Sequence, residues 1–157
     1  MLSAHDDGSL TLLVIGYTLI ASVLIVIGVD VSKVFLAQRA LSSAADAAAL
    51  SGAQAVDRAA IYRGDVACTG LPVDAAAATA AAAASLDDAA DGLRQTFSSL
   101  SKPDVQISSD TVRVQLRGEV TVPFGGVLAL LLPDHPGGRV GVSADAAATS
   151  ALSAASC

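Results

Sequence analysis

The chain has no Trp, two Tyr, three Phe, two His and two Cys in 157 residues, and a single Glu. Each scarcity excludes something. Two Cys can build neither a disulfide-dense mini-protein nor a multi-Cys metal module. One Glu and two His leave little equipment for general acid–base work. Nine Lys+Arg stand against fifteen Asp+Glu, a formal net charge of -6, and no basic run occurs. Nucleic acid is therefore a poor partner, because it requires phosphate neutralisation and stacking. Disorder is opposed by the composition, which is 53% hydrophobic and only 15% charged. Alanine fills that apolar share, with 33 residues. A core built on Ala buries little area per residue, so packing must come from close approach of backbones.

The stretch Leu10–Val29 holds 20 residues without a charge, and thirteen of them are Leu, Ile or Val. As a helix it measures about 30 Å, the thickness of a bilayer hydrocarbon core. At about -0.4 kcal/mol each, those aliphatic residues favour insertion by roughly 5 kcal/mol, against a modest cost for Thr11, Thr18, Ser22 and two glycines. A cleaved secretory signal fits less well. The leader MLSAHDDG has no Lys or Arg, the apolar run is too long, and no Ala-x-Ala follows it promptly. Lys33 and Arg39 flank the C-terminal side of the span. By the positive-inside rule alone, they would place the rest of the chain in the cytoplasm, although long domains translocate largely regardless of charge.

Beyond Asp30 the apolar pattern narrows without ending. Val34, Gln38, Leu41, Ala45, Ala48, Gly52 and Ala55 recur at alternating spacings of four and three, a heptad-like stripe of mostly small residues. Lys33, Arg39, Ser43, Asp46, Gln54 and Asp57 lie off it. No Pro precedes Pro72, so one helix is expected from Leu10 to near Arg58, weakened at Gly52 by roughly 1 kcal/mol relative to Ala.

These residues closely resemble the N-terminal domain of the TadE/TadG-like proteins of tight-adherence (Flp) pilus assembly. The resemblance is carried by Asp7, Gly8 and Ser9 before the apolar run, and by Val29, Asp30 and Lys33 at its end. Phe35, Ala37, Arg39 and the block Ala45 through Ala53 (ADAAALSGA) continue it. It implies a pilin-like protein with the N-terminus inside and the C-terminal domain outside the cytoplasmic membrane. It further implies a role in adhesion or secretion at the cell surface. The partners it implies are other pilin-like subunits, the assembly platform and a prepilin-peptidase-like enzyme acting between Gly8 and Ser9. Processed prepilins usually carry a Glu five residues after the cleaved Gly; here that position is Leu13. Without such a carboxylate to pair with a neighbour's amine, register along a bundle must come from shape.

The remainder divides as follows. Residues 59–73 read as a loop around Gly64, Gly70 and Pro72. Asp74 is a good N-cap for an Ala-rich helix over 74–97, with Leu86 and Leu93 one heptad apart. After Pro103 the period falls to two. Val112, Val114, Leu116, Val120, Val122 and Phe124 alternate with polar residues along a long half-buried strand, with a bulge expected at Gly118. Val105 and Ile107 precede it across a hairpin turn at Ser108–Asp110, and Val140, Val142, Ala144 and Ala146 give a third strand. Val127–Pro133 is too short to cross a bilayer, and reads as a short core helix, a strand or an exposed contact patch. The fold class is α+β: a 1–9 leader, a 10–29 span, a 30–58 helical extension, the loop, the Ala-rich helix, an antiparallel sheet over 103–149 and a 150–157 tail.

Chemistry-bearing constellations are scarce. His5 and His135 lack ligand spacing, and no CxxC, GxSxG, HExxH or P-loop pattern occurs. Asp87, Asp88 and Asp91 read as a solvated helix face. No catalytic, cofactor or metal residue is assigned. Cys68 and Cys157 either stay free or close a loop worth about 4 kcal/mol in the chain-entropy model, if the domain is extracytoplasmic.

The function expected is that of a minor pilin or pseudopilin packing through Val34, Leu41, Ala45, Ala48 and Gly52. The alternative is a membrane-tethered accessory protein that never enters a filament. On the pilin reading, a Trp at Ala45 or Ala48 blocks assembly and leaves membrane insertion intact.

Overall fold

A computed structural model describes residues 6–63, 71–108, 110–125 and 138–150, with side chains from residue 10 onward. The first element, α1 (Asp6–Ala53), is an unbroken helix of 48 residues, about 72 Å long. Its first half is exposed on nearly every side. Two of its hydroxyls are satisfied by the helix itself. Thr18 Oγ1 donates to the Val14 carbonyl and Ser22 Oγ to that of Thr18, each at 2.8 Å.

α1 stops short of Arg58 because the next residues find other partners. Val56 bridges Val73, the Asp57 N–H donates to the Pro72 carbonyl, and the Asp74 N–H donates to that of Ala55. The segment read as a loop from residue 59 in fact opens with a short helix, α2 (Arg58–Arg63). Asp57 starts it by accepting from the Ala60 N–H at 3.1 Å. The 55–57/72–74 pairing sets α3 (Ala75–Thr96) beside the end of α1. Asp74 caps α3 in extended conformation, taking the N–H groups of Ala76 and Ala77 at 3.0 and 3.1 Å.

The chain then forms an antiparallel sheet. Its strands are β1 (Ser99–Leu100), β2 (Asp104–Ser108), β3 (Thr111–Thr121) and β4 (Arg139–Thr149). β3 is central: β4 pairs along its whole length on one side, while β1 and β2 share the other. β3 is regular through Gly118, which faces Val142, so the bulge expected there is absent. The irregularity lies on the edge instead. Leu100 pairs with Gly118 and Asp104 with Gln115, so three edge residues, 101–103, oppose two of β3. Pro103 has no N–H to give a ladder, which accounts for a break at that place. Gly118 has a different purpose. A Cβ there would lie 2.7 Å from Phe97 Cδ1 and 3.1 Å from Leu100 Cδ2, so the buried Phe97 ring occupies the space of the missing side chain.

The sheet has one apolar face. Val112, Val114, Leu116, Val120, Val142, Ala144 and Ala146 are buried beneath the helices. Arg113, Gln115, Arg117 and Asp145 form a polar outer face, in which Arg113 Nε lies 3.8 Å from Asp145 Oδ1. The α+β class expected from the sequence, with a long apolar helix, further helices and a small antiparallel sheet, is the one observed. Val127–Pro133, His5, His135, Cys68 and Cys157 lie outside the described residues.

The Phe97–Gly118 contact yields a direct test. Gly118→Ala should lower domain stability by about 1–3 kcal/mol through overpacking, read as a lower thermal midpoint in detergent. An unchanged midpoint would show that the ring is free to move away.

Candidate functional site

The sequence pointed to α1 as the working surface, and the structure divides that helix into faces. One face of its second half is consumed by the chain's own core. Leu41, Ala45 and Ala48 are 0% exposed and Gly52 is buried, packed against α3, β3 and β4. Val34 is half-buried at the lower margin of the same cluster.

Side-chain size explains why these positions are small. A Cβ on Gly52 would meet Val112 Cγ1 at 3.0 Å and the Ala78 carbonyl oxygen at 3.3 Å, so Gly52 lets α1 approach strand and helix together. Ser51 Oγ donates to the Ala81 carbonyl at 3.3 Å one residue earlier, joining α1 to α3. The stripe is therefore a packing surface whose partner is this chain itself. Any partner protein must use another face, and a Trp at Ala45 or Ala48 would damage the fold before it could report on assembly.

Gln38, counted with the stripe, is exposed. Its amide Nε2 donates to the Ser143 carbonyl at 2.9 Å, pinning the outer edge of β4 to the helix. Asp30 has a similar task that the sequence did not disclose. Its Oδ1 accepts the N–H of Phe124 at 3.2 Å, across 94 positions of sequence. The available hint was a lone carboxylate where an apolar run ends.

The remaining surface of α1 is open. Leu10 to Val29 presents exposed aliphatic side chains all round, and this helix is long and apolar enough to cross a membrane. Farther along, Phe35, Leu36, Arg39, Ser43, Asp46, Ala47 and Leu50 are exposed, with Leu36 and Leu50 the large aliphatics of that strip. Leu36, Ser43, Ala47 and Leu50 repeat at spacings of seven, four and three, a helix-packing period. Gly8 and Ser9 fall inside the first turns of α1.

Elsewhere the surface offers little chemistry. A cleft of about 500 Å³ lies between the second half of α3 and the β1–β2 edge, lined by Leu86, Leu93, Phe97 and Arg94 among others. Arg94 is engaged by Asp91 at 3.3 Å. Asp87, Asp88 and Asp91 are exposed, and among the described residues no group of three or more His, Cys, Asp or Glu could hold a metal ion. Leu71 and Ser150, which flank the two cysteine-bearing segments, are bonded to each other: the Leu71 N–H donates to the Ser150 carbonyl at 3.2 Å.

Residues 8–55 match the family described as "Putative Flp pilus-assembly TadE/G-like". The match covers α1 almost end to end and stops two residues past it. The likeness to the Tad/Flp pilus-assembly family is thus carried by the N-terminal helix, and the sheet lies outside the matched segment. No curated protein and no solved structure matches the chain.

The division of α1 into faces is testable by substitution. Ala48→Leu adds methylenes at a fully buried site and should cost about 1–3 kcal/mol. Ala47→Leu, one residue away on the exposed strip, should leave the melting temperature unchanged. Equal effects of the two would mean that α1 is rotated from the orientation described.

Proposed function

We propose that this chain is a single-pass membrane subunit of a tight-adherence pilus system, of the minor pilin or pseudopilin type, working by helix packing and without catalysis. The observation that carries the reading is the unbroken helix of 48 residues that coincides with the pilus-assembly match. Its uncharged half is built for lipid or for the apolar centre of a helical bundle, and its second half is welded to a small sheet. In this reading the N-terminus is inside, and the sheet domain stands outside the cytoplasmic membrane. The surface offered to other pilin-like subunits is the span together with Leu36, Ser43, Ala47 and Leu50. The platform and a prepilin-peptidase-like enzyme cutting between Gly8 and Ser9 complete the set of partners.

A second reading has one observation in its favour. Leu13 stands where processed pilins carry Glu, and the small-residue stripe is already occupied within the chain. A membrane-tethered accessory protein that does not enter filaments has the same anchor and the same domain. Leu50→Glu separates the two. The site is exposed, so the folded domain should keep its melting temperature. As a subunit, the variant should lose co-purification with pilus components; a tether should be indifferent.

Intact mass adds an independent test. A mature chain beginning at Ser9 supports the pilin reading, and one beginning at Met1 supports the tether. The same spectrum reports on the cysteines. Cys68 lies three residues before Leu71 and Cys157 seven after Ser150, about 10 Å and 24 Å of chain at full extension. From anchors that are hydrogen-bonded to each other, a disulfide is within reach, and an extracytoplasmic domain would form it. Reduction should then add the mass of two hydrogens. No change in mass on reduction would leave two thiols and remove the bond.

A further inference from the structure

The lower end of the sheet is tied to the helix at one height. Phe124 follows β3, and its N–H is held by Asp30, the first residue past the uncharged stretch. At a rise of about 1.5 Å per residue, Asp30 stands about 1.5 Å beyond Val29, Phe35 about 9 Å and Ala37 about 12 Å. Ala37 is the first residue of the helix to be fully buried in the domain. No linker intervenes. A bilayer's headgroup layer is about 5–7 Å thick on each side of its hydrocarbon core. If Leu10–Val29 fills that core, Phe124 is held at the inner edge of the headgroup layer, and Phe35 stands just past its outer edge.

The side chains at this end suit that position. A shallow groove of about 490 Å³ runs between the helix and the sheet, lined by Val31, Val34, Phe35, Val122 and Val140, with Asp30 and Gln38 as its polar side chains. Phe35 is 66% exposed and Phe124 38%. Lys33 and Arg139 are exposed at the same end. The groove is continuous with the aliphatic surface of the span through exposed Val29 and Val31. An apolar patch of this kind, joined to a lipid-facing helix with exposed Lys33 beside it in the chain, suits a membrane surface.

We infer that the sheet domain rests on the bilayer that holds α1. Phe124 lies in the headgroup layer, Lys33 sits level with the phosphates, and Phe35 stands just above them. The domain then stands at a fixed height and tilt, with its opposite end farthest from the membrane. This rests on the single-pass reading above, and the test separates the two.

Because the chain has no Trp, a single Trp gives a clean depth probe. The full chain is reconstituted in phosphatidylcholine vesicles carrying bromine either near the headgroups or near the chain ends. Phe124→Trp should emit to the blue of free Trp and lose most fluorescence to shallow bromine. Ile20→Trp should be quenched by deep bromine, and Tyr62→Trp, on exposed α2, by neither. If Ile20→Trp is quenched but Phe124→Trp emits as in water, the domain does not rest on lipid and the anchor stands. Loss of quenching at Ile20→Trp overturns both. Shielding of Phe124→Trp from lipid and water alike, only at high protein-to-lipid ratio, would assign the groove to a second copy and overturn the inference. Val31→Trp, exposed and about 3 Å beyond Val29, reads the same layer should Phe124→Trp disturb the fold.

Discussion

The structure depends on how closely α1 approaches its neighbours between Ala37 and Ala53. That stretch contributes one large buried side chain, Leu41; the rest of its buried face is Ala and Gly. With so little side-chain volume, α3 and β3 come almost to the backbone of α1. At Gly52 a single methyl group would touch both. Dispersion at short range over a long interface then replaces the few bulky contacts of an ordinary core. The sheet contributes the volume the helices lack, with Val112, Val114 and Val120 almost wholly buried. Aromatic scarcity is therefore no weakness here. Phe97 is the one buried ring among the described residues, and the sheet makes room for it by having no side chain at Gly118.

This close packing makes one rigid body of two parts with opposite solvents. A helix with its own flexible linker could let a domain drift relative to the membrane. Here the helix that suits a bilayer is also the floor of the core, and Asp30 and Gln38 each pin the sheet to it from the exposed side. Height, tilt and rotation of the sheet relative to the span are set by one set of contacts. On the proposed subunit reading, a surface held this firmly makes register by shape alone workable, even with Leu13 in place of a pairing carboxylate.

What was legible in the sequence follows from the range of the forces involved. The Leu10–Val29 run, the Asp74 cap and the alternation along β3 are local signals, written in consecutive residues. The small-residue stripe was legible as a packing surface, since periodicity reports burial. It could not name the partner, because an Ala face fits another chain's helix as well as its own α3. The same limit hid the role of Gly118. In a strand pattern a glycine signals either a bulge or a close neighbour, and only the position of Phe97 chooses between them. Asp30 and Gln38 were invisible for a related reason: each acts on a backbone group about a hundred residues away, and a backbone group leaves no mark in the sequence.

The family match and the fold then make a coherent division of labour. The matched segment ends almost where α1 ends, so the likeness to the pilus-assembly family is carried by the helix. Within it, the span from Leu10 to Val29 carries no charge and is long and apolar enough to cross a membrane. On the reading proposed above, a domain riding on this helix must leave one of its faces open. That condition is met here: Leu36, Ser43, Ala47 and Leu50 stay exposed while Leu41, Ala45, Ala48 and Gly52 are consumed. One small-residue helix thus carries a buried face for its own sheet and an exposed face continuous with its span, and the two meet at the adjacent residues Ala47 and Ala48.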